Sequence, residues 1–198
     1  FPFDTGDQIW ASLAAGYIDN DNLIDIVAVS KSNHLYVFDL NGIKLDYNTN
    51  QYLIGTPALG NLDDDEDLEI VFGSFSNDAQ VFAINIDGSY VEGFPLLLDE
   101  KMQKGVALAD FNNNGKDDIV LGTDDDNVYL IYDNGEFAPG FPYVAGDKIQ
   151  AAPAILDVNG NKIIAVGSND DYFYAINSDG SLRFSVQTGN KVQSSPSV

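Results

Sequence analysis

Four turn dipeptides set the rhythm of this chain: Asn41-Gly42, Asp87-Gly88, Asn134-Gly135 and Asp179-Gly180, spaced by 46, 47 and 45 residues. Asn, Asp and Gly tolerate positive φ, so these pairs read as type I′ hairpin turns. A fixed spacing of this length predicts a repeat array of strands. Immediately before each turn stands a matching segment, LYVF at 35–38, VFAI at 81–84, VYLI at 128–131 and FYAI at 173–176. These segments are apolar on both faces, as strands in the middle of stacked sheets must be.

The rest of the repeat follows the same register. A strand with small residues near its end precedes each apolar one: IVAVS from Ile26, IVFGS from Ile70, IVLGT from Ile119 and IIAVGS from Ile163. Gly73, Gly122 and Gly167 in these strands are expected to allow close backbone approach between neighbouring sheets or to relieve a twist, in preference to a ligand role. Earlier still lies a small-residue strand, beginning at Trp10, Ile54, Gln103 and Gln150, and after the hairpin a more polar one, ending as GFPLLL at Gly93 and GFPYVA at Gly140. Trp10 reads as a packing variant of that first strand. The fold class is therefore all-β, an array of four-stranded antiparallel blades like those of a β-propeller. One repeat region spans 1–198, with repeats at 8–51, 52–101, 102–147 and 148–190 and a partial one at 191–198. Residues 184–198 align without a gap on 1–15, so the innermost strand occurs once too often for a closed four-bladed ring. An open arc is expected, completed by further blades or by neighbouring chains.

Between the first two strands of each repeat lies an acidic loop. In ADFNNNGKDDIV, with Asp110 as position 1, oxygens fall at 3 (Asn112), 5 (Asn114) and 9 (Asp118), Gly115 stands at 6, and Lys116 offers a backbone carbonyl at 7. Calcium takes six to eight oxygens, and alternating side chains around a sharp turn supply them. The partner helices of an EF-hand are missing, and position 12 is Leu121 inside a β-rich run, so this loop joins strands. GNLDDDEDLEIV repeats the pattern with Asn61, Asp63, Asp65, Asp67 and Glu69, although Glu66 replaces the glycine. GYIDNDNLIDIV repeats it with Asp19, Asp21 and Asp25, with Tyr17 at position 1 and Asn22 for the glycine. A fourth copy, Asp157, Asn159 and Asn161, is two residues shorter and has Ile163 for its closing carboxylate, so no metal is expected there.

The charge balance fits this reading. Thirty-one acids against nine bases give −22, which disfavours nucleic acid and anionic membranes as direct partners. Twelve of the acids lie in the three long loops, and up to three structural Ca2+ ions would relieve the repulsion where it is densest. Polar turns in which Asp and Asn merely cap their own backbone are the alternative. There is no cysteine, hence no disulfide framework, and no apolar run long enough for a membrane-spanning helix.

The phrase ADFNNNGKDDIV, followed by a glycine-containing strand, an aromatic strand and an Asn-Gly or Asp-Gly hairpin, resembles the FG-GAP or VCBS repeats, the calcium-loop propeller blades of integrin α-chain heads. The last repeat is also similar to PQQ-type blades, with Phe184 where those carry tryptophan. The resemblance implies a radial propeller with calcium in the loops, extracellular or on the cell surface, bacterial in setting. The role it implies is non-catalytic: adhesion, or recognition of a protein or carbohydrate.

Two other classes compete. As an enzyme, or a propeller accessory to a secreted glycoside hydrolase or lyase, the chain would have carboxylates to spare. Its acids follow the repeat, however, and a catalytic residue should break it. The single histidine, His34, aligns with Gln80, Asn127 and Tyr172 at a strand entrance and reads as a solvated strand end. No G-x-S-x-G, phosphate loop or G-x-G-x-x-G occurs, and Ser194-Ser195 before Pro196 reads as structural. A self-assembling surface or fibre subunit is the third class, joined through the spare inner strand. Tyr47, Tyr52, Tyr90 and Tyr143, off the apolar strands, are the candidates for a carbohydrate surface.

Overall fold

The computed structural model describes residues 3–196; of the overlapping ends, positions 1, 2, 197 and 198 lie outside it. Four antiparallel sheets follow one another along the chain, each in strand order one to four from the inside outward. Blade 1 comprises β1 (Ala14–Gly16), β2 (Asp25–Val29), β3 (His34–Asp39) and β4 (Gly42–Asn48). Blade 2 comprises β5 (Ala58–Gly60), β6 (Glu69–Gly73), β7 (Gln80–Ile84) and β8 (Leu96–Leu97). Blade 3 comprises β9 (Ala107–Ala109), β10 (Asp118–Gly122), β11 (Asn127–Ile131) and β12 (Tyr143–Val144). Blade 4 comprises β13 (Ala154–Val158), β14 (Asn161–Gly167), β15 (Tyr172–Asn177) and β16 (Leu182–Gln187). No helix among the described residues is long and apolar enough to cross a membrane.

The cores lie between blades, because the central strands bury both faces. Period-two alternation sends Ile70, Phe72, Phe82 and Ile84 toward blade 1, where they meet Val27, Val29, Leu35 and Val37. The intervening Val71, Val81 and Ala83 face blade 3 and meet Ile119, Leu121 and Ile131. A third core joins Val120, Val128 and Leu130 to Ile164, Val166 and Ile176 of blade 4. The innermost strands touch in the order β1, β5, β9, β13. At the two ends the apolar side chains stay uncovered: Leu182, Phe184 and Val186 of β16 are 46–50% exposed, and Ile26 and Ile43 of blade 1 are 40–45% exposed.

Three local features depart from the sequence reading. The glycines that end β6, β10 and β14 are packed by side chains arriving from the next repeat, and at Gly167 the Val192 carbonyl comes equally close, at 2.5 Å. A Cβ on Gly73, Gly122 or Gly167 would lie 2.4 Å from Met102 Sδ, 2.1 Å from Ile149 Cγ2 or 2.4 Å from Val192 Cγ1. Those three residues also donate their N–H groups to the carbonyls of Ser74, Thr123 and Ser168 at 3.1, 2.9 and 2.9 Å. Secondly, none of the four Asn-Gly and Asp-Gly turns is type I′, since in each pair only the glycine has positive φ, and blade 2 shows the form that blades 3 and 4 repeat. Asn85 N–H bonds Ser89 O, Gly88 N–H bonds Asn85 O, and only Gly88 has positive φ, the signature of a three-residue loop with a glycine bulge. Thirdly, Trp10 is not packed: it is 64% exposed, with Lys31 Nζ 4.2 Å above its ring and its own N–H bonded to Gln8 Oε1.

The outer strands divide the blades into two kinds. In blades 2 and 3 the G-F-P segment cuts the outer strand to two residues, preceded by the single bridges Ile84 to Tyr90 and Ile131 to Phe137. Blades 1 and 4 lack G-F-P, and there β4 and β16 run on for seven and six residues. Each of these long strands carries one bulge. Phe38 pairs with Ile43 and Val37 with Leu45, leaving Lys44 out of register, and Arg183 is left out in the same way between Leu182 and Phe184.

Candidate functional site

The acidic loops form the corners between the first and second strands of each blade. In the three long corners the closing carboxylate, Asp25, Glu69 or Asp118, starts the second strand and is fully buried. Each accepts a main-chain N–H from the loop's second residue: Ile18 to Asp25 Oδ2 at 3.1 Å, Leu62 to Glu69 Oε2, and Phe111 to Asp118 Oδ2 at 2.7 Å. The alternating side chains ahead of it fold the loop as a ladder of turns. Asp63 Oδ1 accepts from Asp65 N–H, and Asp65 Oδ1 from Asp67 N–H, at 2.9 and 2.8 Å. Asn112 and Asn114 do the same in blade 3, and Asp19 and Asp21 in blade 1. One oxygen of each Asp thus shapes the turn and leaves the second for a cation.

At position 6 the corners differ. Asn22 and Gly115 adopt positive φ (63° and 91°), whereas Glu66 does not, so the second corner turns without a left-handed residue there. It is nevertheless the corner in which oxygens converge. Atoms of Asp63, Asp65 and Glu69 lie within 4.8 Å of one another. Glu69 Oε1 and Asn61 Oδ1 are buried and have no hydrogen-bond partner among the described residues. Two orphaned acceptors in one loop with two further carboxylates are a donor set that suits a hard divalent cation. Asp67 is not part of the converging group. A cavity of about 580 Å³, lined by Asp63, Asp65, Tyr90, Glu92 and Lys116 among others, opens beside this corner and gives an ion a way in.

The third corner offers two carboxylates and two amides. Both oxygens of Asp110 are engaged by main-chain N–H groups of Asn114 and Gly115, at 3.1 and 2.9 Å, and Asp118 Oδ1 receives Asp133 N–H at 3.2 Å. The Lys116 side chain reaches away to Asp64 Oδ1 at 3.0 Å, so only its carbonyl is available to the loop. The fourth copy is a two-residue hairpin. Val158 pairs with Asn161, Asn159 and Gly160 both have positive φ (56° and 81°), and Asp157 Oδ1 is taken by Gly160 N–H at 2.7 Å. The type I′ geometry expected at the outer turns thus sits here, and it leaves no room for an oxygen cage.

In the first corner Asp19, Asp21 and Asp25 come together on a side chain that sequence reasoning overlooked. Lys44 Nζ lies 2.6, 3.1 and 3.0 Å from Asp19 Oδ2, Asp21 Oδ2 and Asp25 Oδ1. Tyr17, at position 1, is 59% exposed. Two further residues were missed because they act across blades. Asp117 N–H donates to Asn61 O at 2.7 Å while its Oδ2 accepts Asn61 N–H, and Leu68 N–H donates to Ile18 O at 2.8 Å, so each corner is stitched to the one before. The equivalent position eight of each loop was the available signal.

Electrostatics follow burial. Burial, with Asp63 and Asp65 adding to it, pushes the Glu69 carboxyl up to about 7. Burial, with the Asp133 charge adding, pushes Asp118 up to about 6. For Lys44, partial burial opposes the charge, but the bonds to Asp19, Asp25 and Asp21 outweigh it and hold the ammonium above its ordinary range. His34 is half-buried against Asp46 and stacked on Tyr36. Of the aromatic candidates, Tyr47 and Tyr90 bond each other between blades and Tyr143 packs on Tyr174, whereas Tyr52 is 52% exposed.

No protein-family model matches the sequence, and neither does any curated protein. Solved structures do. BamB from Moraxella catarrhalis is 18% identical with a TM-score of 0.65, over 93% of this chain and 49% of that one. BBS1N, crystallised in complex with ARL6DN, is 11% identical with a TM-score of 0.70, over 93% and 59%. The C-terminal domain of PilY1 from Pseudomonas aeruginosa is 14% identical with a TM-score of 0.64, over 86% and 50%. At such identities the likeness is one of fold.

Proposed function

We propose, from four sheets that are β-propeller blades in a chain spanning about half the length of the propellers it matches, that this is a non-catalytic interaction module of the FG-GAP or VCBS type, in which Ca2+ at the second and third corners is structural. The observation that carries the reading is the convergence of Asp63, Asp65 and Glu69 within 4.8 Å, in a loop that leaves Glu69 Oε1 and Asn61 Oδ1 buried without a hydrogen-bond partner among the described residues. Asn61, Asp63, Asp65 and Glu69 would hold one ion, and Asp110, Asn112, Asn114, Asp118 and the Lys116 carbonyl the other. When bound, calcium neutralises carboxylates that otherwise repel, and its binding energy becomes folding energy. The surface of the propeller then serves a partner protein or a carbohydrate, as the BBS1N structure contains a partner protein, ARL6DN. Calcium at millimolar concentration outside cells suits an extracellular setting. The uncovered apolar ends support further blades on either side.

Against an active site stands the use of the acids: they build repeated turns, and His34 is committed to Asp46 and Tyr36. Thermal unfolding tests the calcium reading. Each occupied site at a hundredfold excess of ion over Kd adds about 2.7 kcal/mol, so the midpoint should rise clearly between chelator and millimolar calcium. An unchanged midpoint at low salt refutes it.

A further inference from the structure

The first corner brings three carboxylates together, as the second does, but around a cation of its own. Its three carboxylates surround one ammonium, which donates to Asp19 Oδ2 and Asp21 Oδ2 and forms an ion pair with Asp25 Oδ1. Asp25 Oδ1 is buried and has no hydrogen-bond partner among the described residues; the Lys44 charge, 3.0 Å away, is what compensates it. The Lys44 side chain is itself only 17% exposed, so the charge is held inside the corner rather than laid over it.

The backbone explains why only this blade has such a residue. Lys44 is the extra residue of the bulge in β4, and a bulge re-aims the side chain it frees. In blades 2 and 3 no residue is inserted. Tyr90 bridges Ile84 and the very next N–H, of Val91, bonds Ala83 O at 3.1 Å; Phe137 bridges Ile131 and Ala138 N–H bonds Leu130 O at 2.9 Å. Blade 4 has the bulge and a basic residue, Arg183, but its corner is a two-residue hairpin, and Arg183 bonds Asn177 Oδ1 at 3.4 Å instead. Bulge, base and three-carboxylate corner coincide once.

We propose that Lys44 is the resident cation of the first corner, standing where a divalent ion stands in the second and third, and that taking its charge away converts this corner into a calcium site. The chain then binds two ions rather than the three its acidic loops suggest, and blade 1 keeps its shape without metal. The comparison with the other corners rests on their calcium reading; the assignment of Lys44 does not.

Calcium titration of the intact chain, with ions counted by native mass measurement, tests this on the wild type, Lys44→Met and Lys44→Met with Asp25→Asn. Methionine keeps the apolar stem and removes the charge. The expected counts are two, three and two. A wild type that takes none while Lys44→Met takes one would refute calcium at the second and third corners and leave this proposal standing. Three ions in the wild type, or no gain in Lys44→Met, would overturn it. If Lys44→Met fails to fold in chelator, calcium should restore it, and so should adding Asp19→Asn and Asp25→Asn, which remove the stranded charges. Failure of both rescues would make Lys44 a packing residue and overturn the proposal.

Discussion

The Phe111 amide donates to Asp118 Oδ2 across 2.7 Å, and the same bond, from a loop's second residue to the carboxylate seven positions on, closes all three long corners. The carboxylate therefore has two duties, one toward the backbone and one toward a cation, and substitutions separate them. Glu69→Gln keeps an acceptor for Leu62 N–H and removes only the charge. In chelator it should be as stable as the wild type or more so, while in calcium it should fall short by one ion's contribution. Glu69→Ala strands the buried amide and should cost about 1–3 kcal/mol in both conditions, read by denaturant unfolding.

The pH dependence has a definite sign. Glu69 titrates near 7 in the fold against an ordinary 4.5, and Asp118 near 6 against 3.8. Without metal, the folded protein thus holds more protons than the unfolded chain between those values. The stability these groups contribute is fully present below pH 3.8 for Asp118 and 4.5 for Glu69, and is lost as pH rises through about 6 and about 7. In chelator the melting temperature should drop by about 4–8 °C from pH 5 to pH 8. Millimolar calcium should flatten or reverse that trend, because the ion binds the deprotonated forms.

The two proposed sites should differ in affinity. The second corner brings Asp63, Asp65 and Glu69 together, whereas the third has two carboxylates and two amides, and carboxylate count raises calcium affinity. In a calorimetric titration, Glu69→Gln should abolish the tighter step and Asp118→Asn the weaker one.

Packing between repeats makes its own prediction. A Cβ at position 122 would lie 2.1 Å from Ile149 Cγ2, so Gly122→Ala should destabilise by about 1–3 kcal/mol without changing calcium binding. Ile149→Ala in the same chain should recover part of that loss; additive losses would count against the contact.

Much of this was readable from the residues. The period of the Asn-Gly and Asp-Gly turns marks the blades because every blade solves the same hairpin problem, and IVFG or VFAI declares strands with two buried faces. Turn type was not readable: Asp87-Gly88 serves a bulged loop as well as a two-residue one. The loop acids were legible as a pattern, but their fates were decided by residues far along the chain. Lys44 reaches Asp19 from 25 residues on through a strand bulge, and Asp117 reaches Asn61 from the next blade. Both depend on inter-strand register, which composition does not encode.

The most direct test is a crystal structure grown in calcium, with ions located by their anomalous signal. The account predicts two ions, one among Asn61, Asp63, Asp65 and Glu69 and one among Asp110, Asn112, Asn114 and Asp118, each with six to eight oxygens at about 2.3–2.6 Å, and the Lys44 ammonium between Asp19 and Asp25. A map in which the second and third corners hold water or a side-chain amine in place of an ion would contradict it.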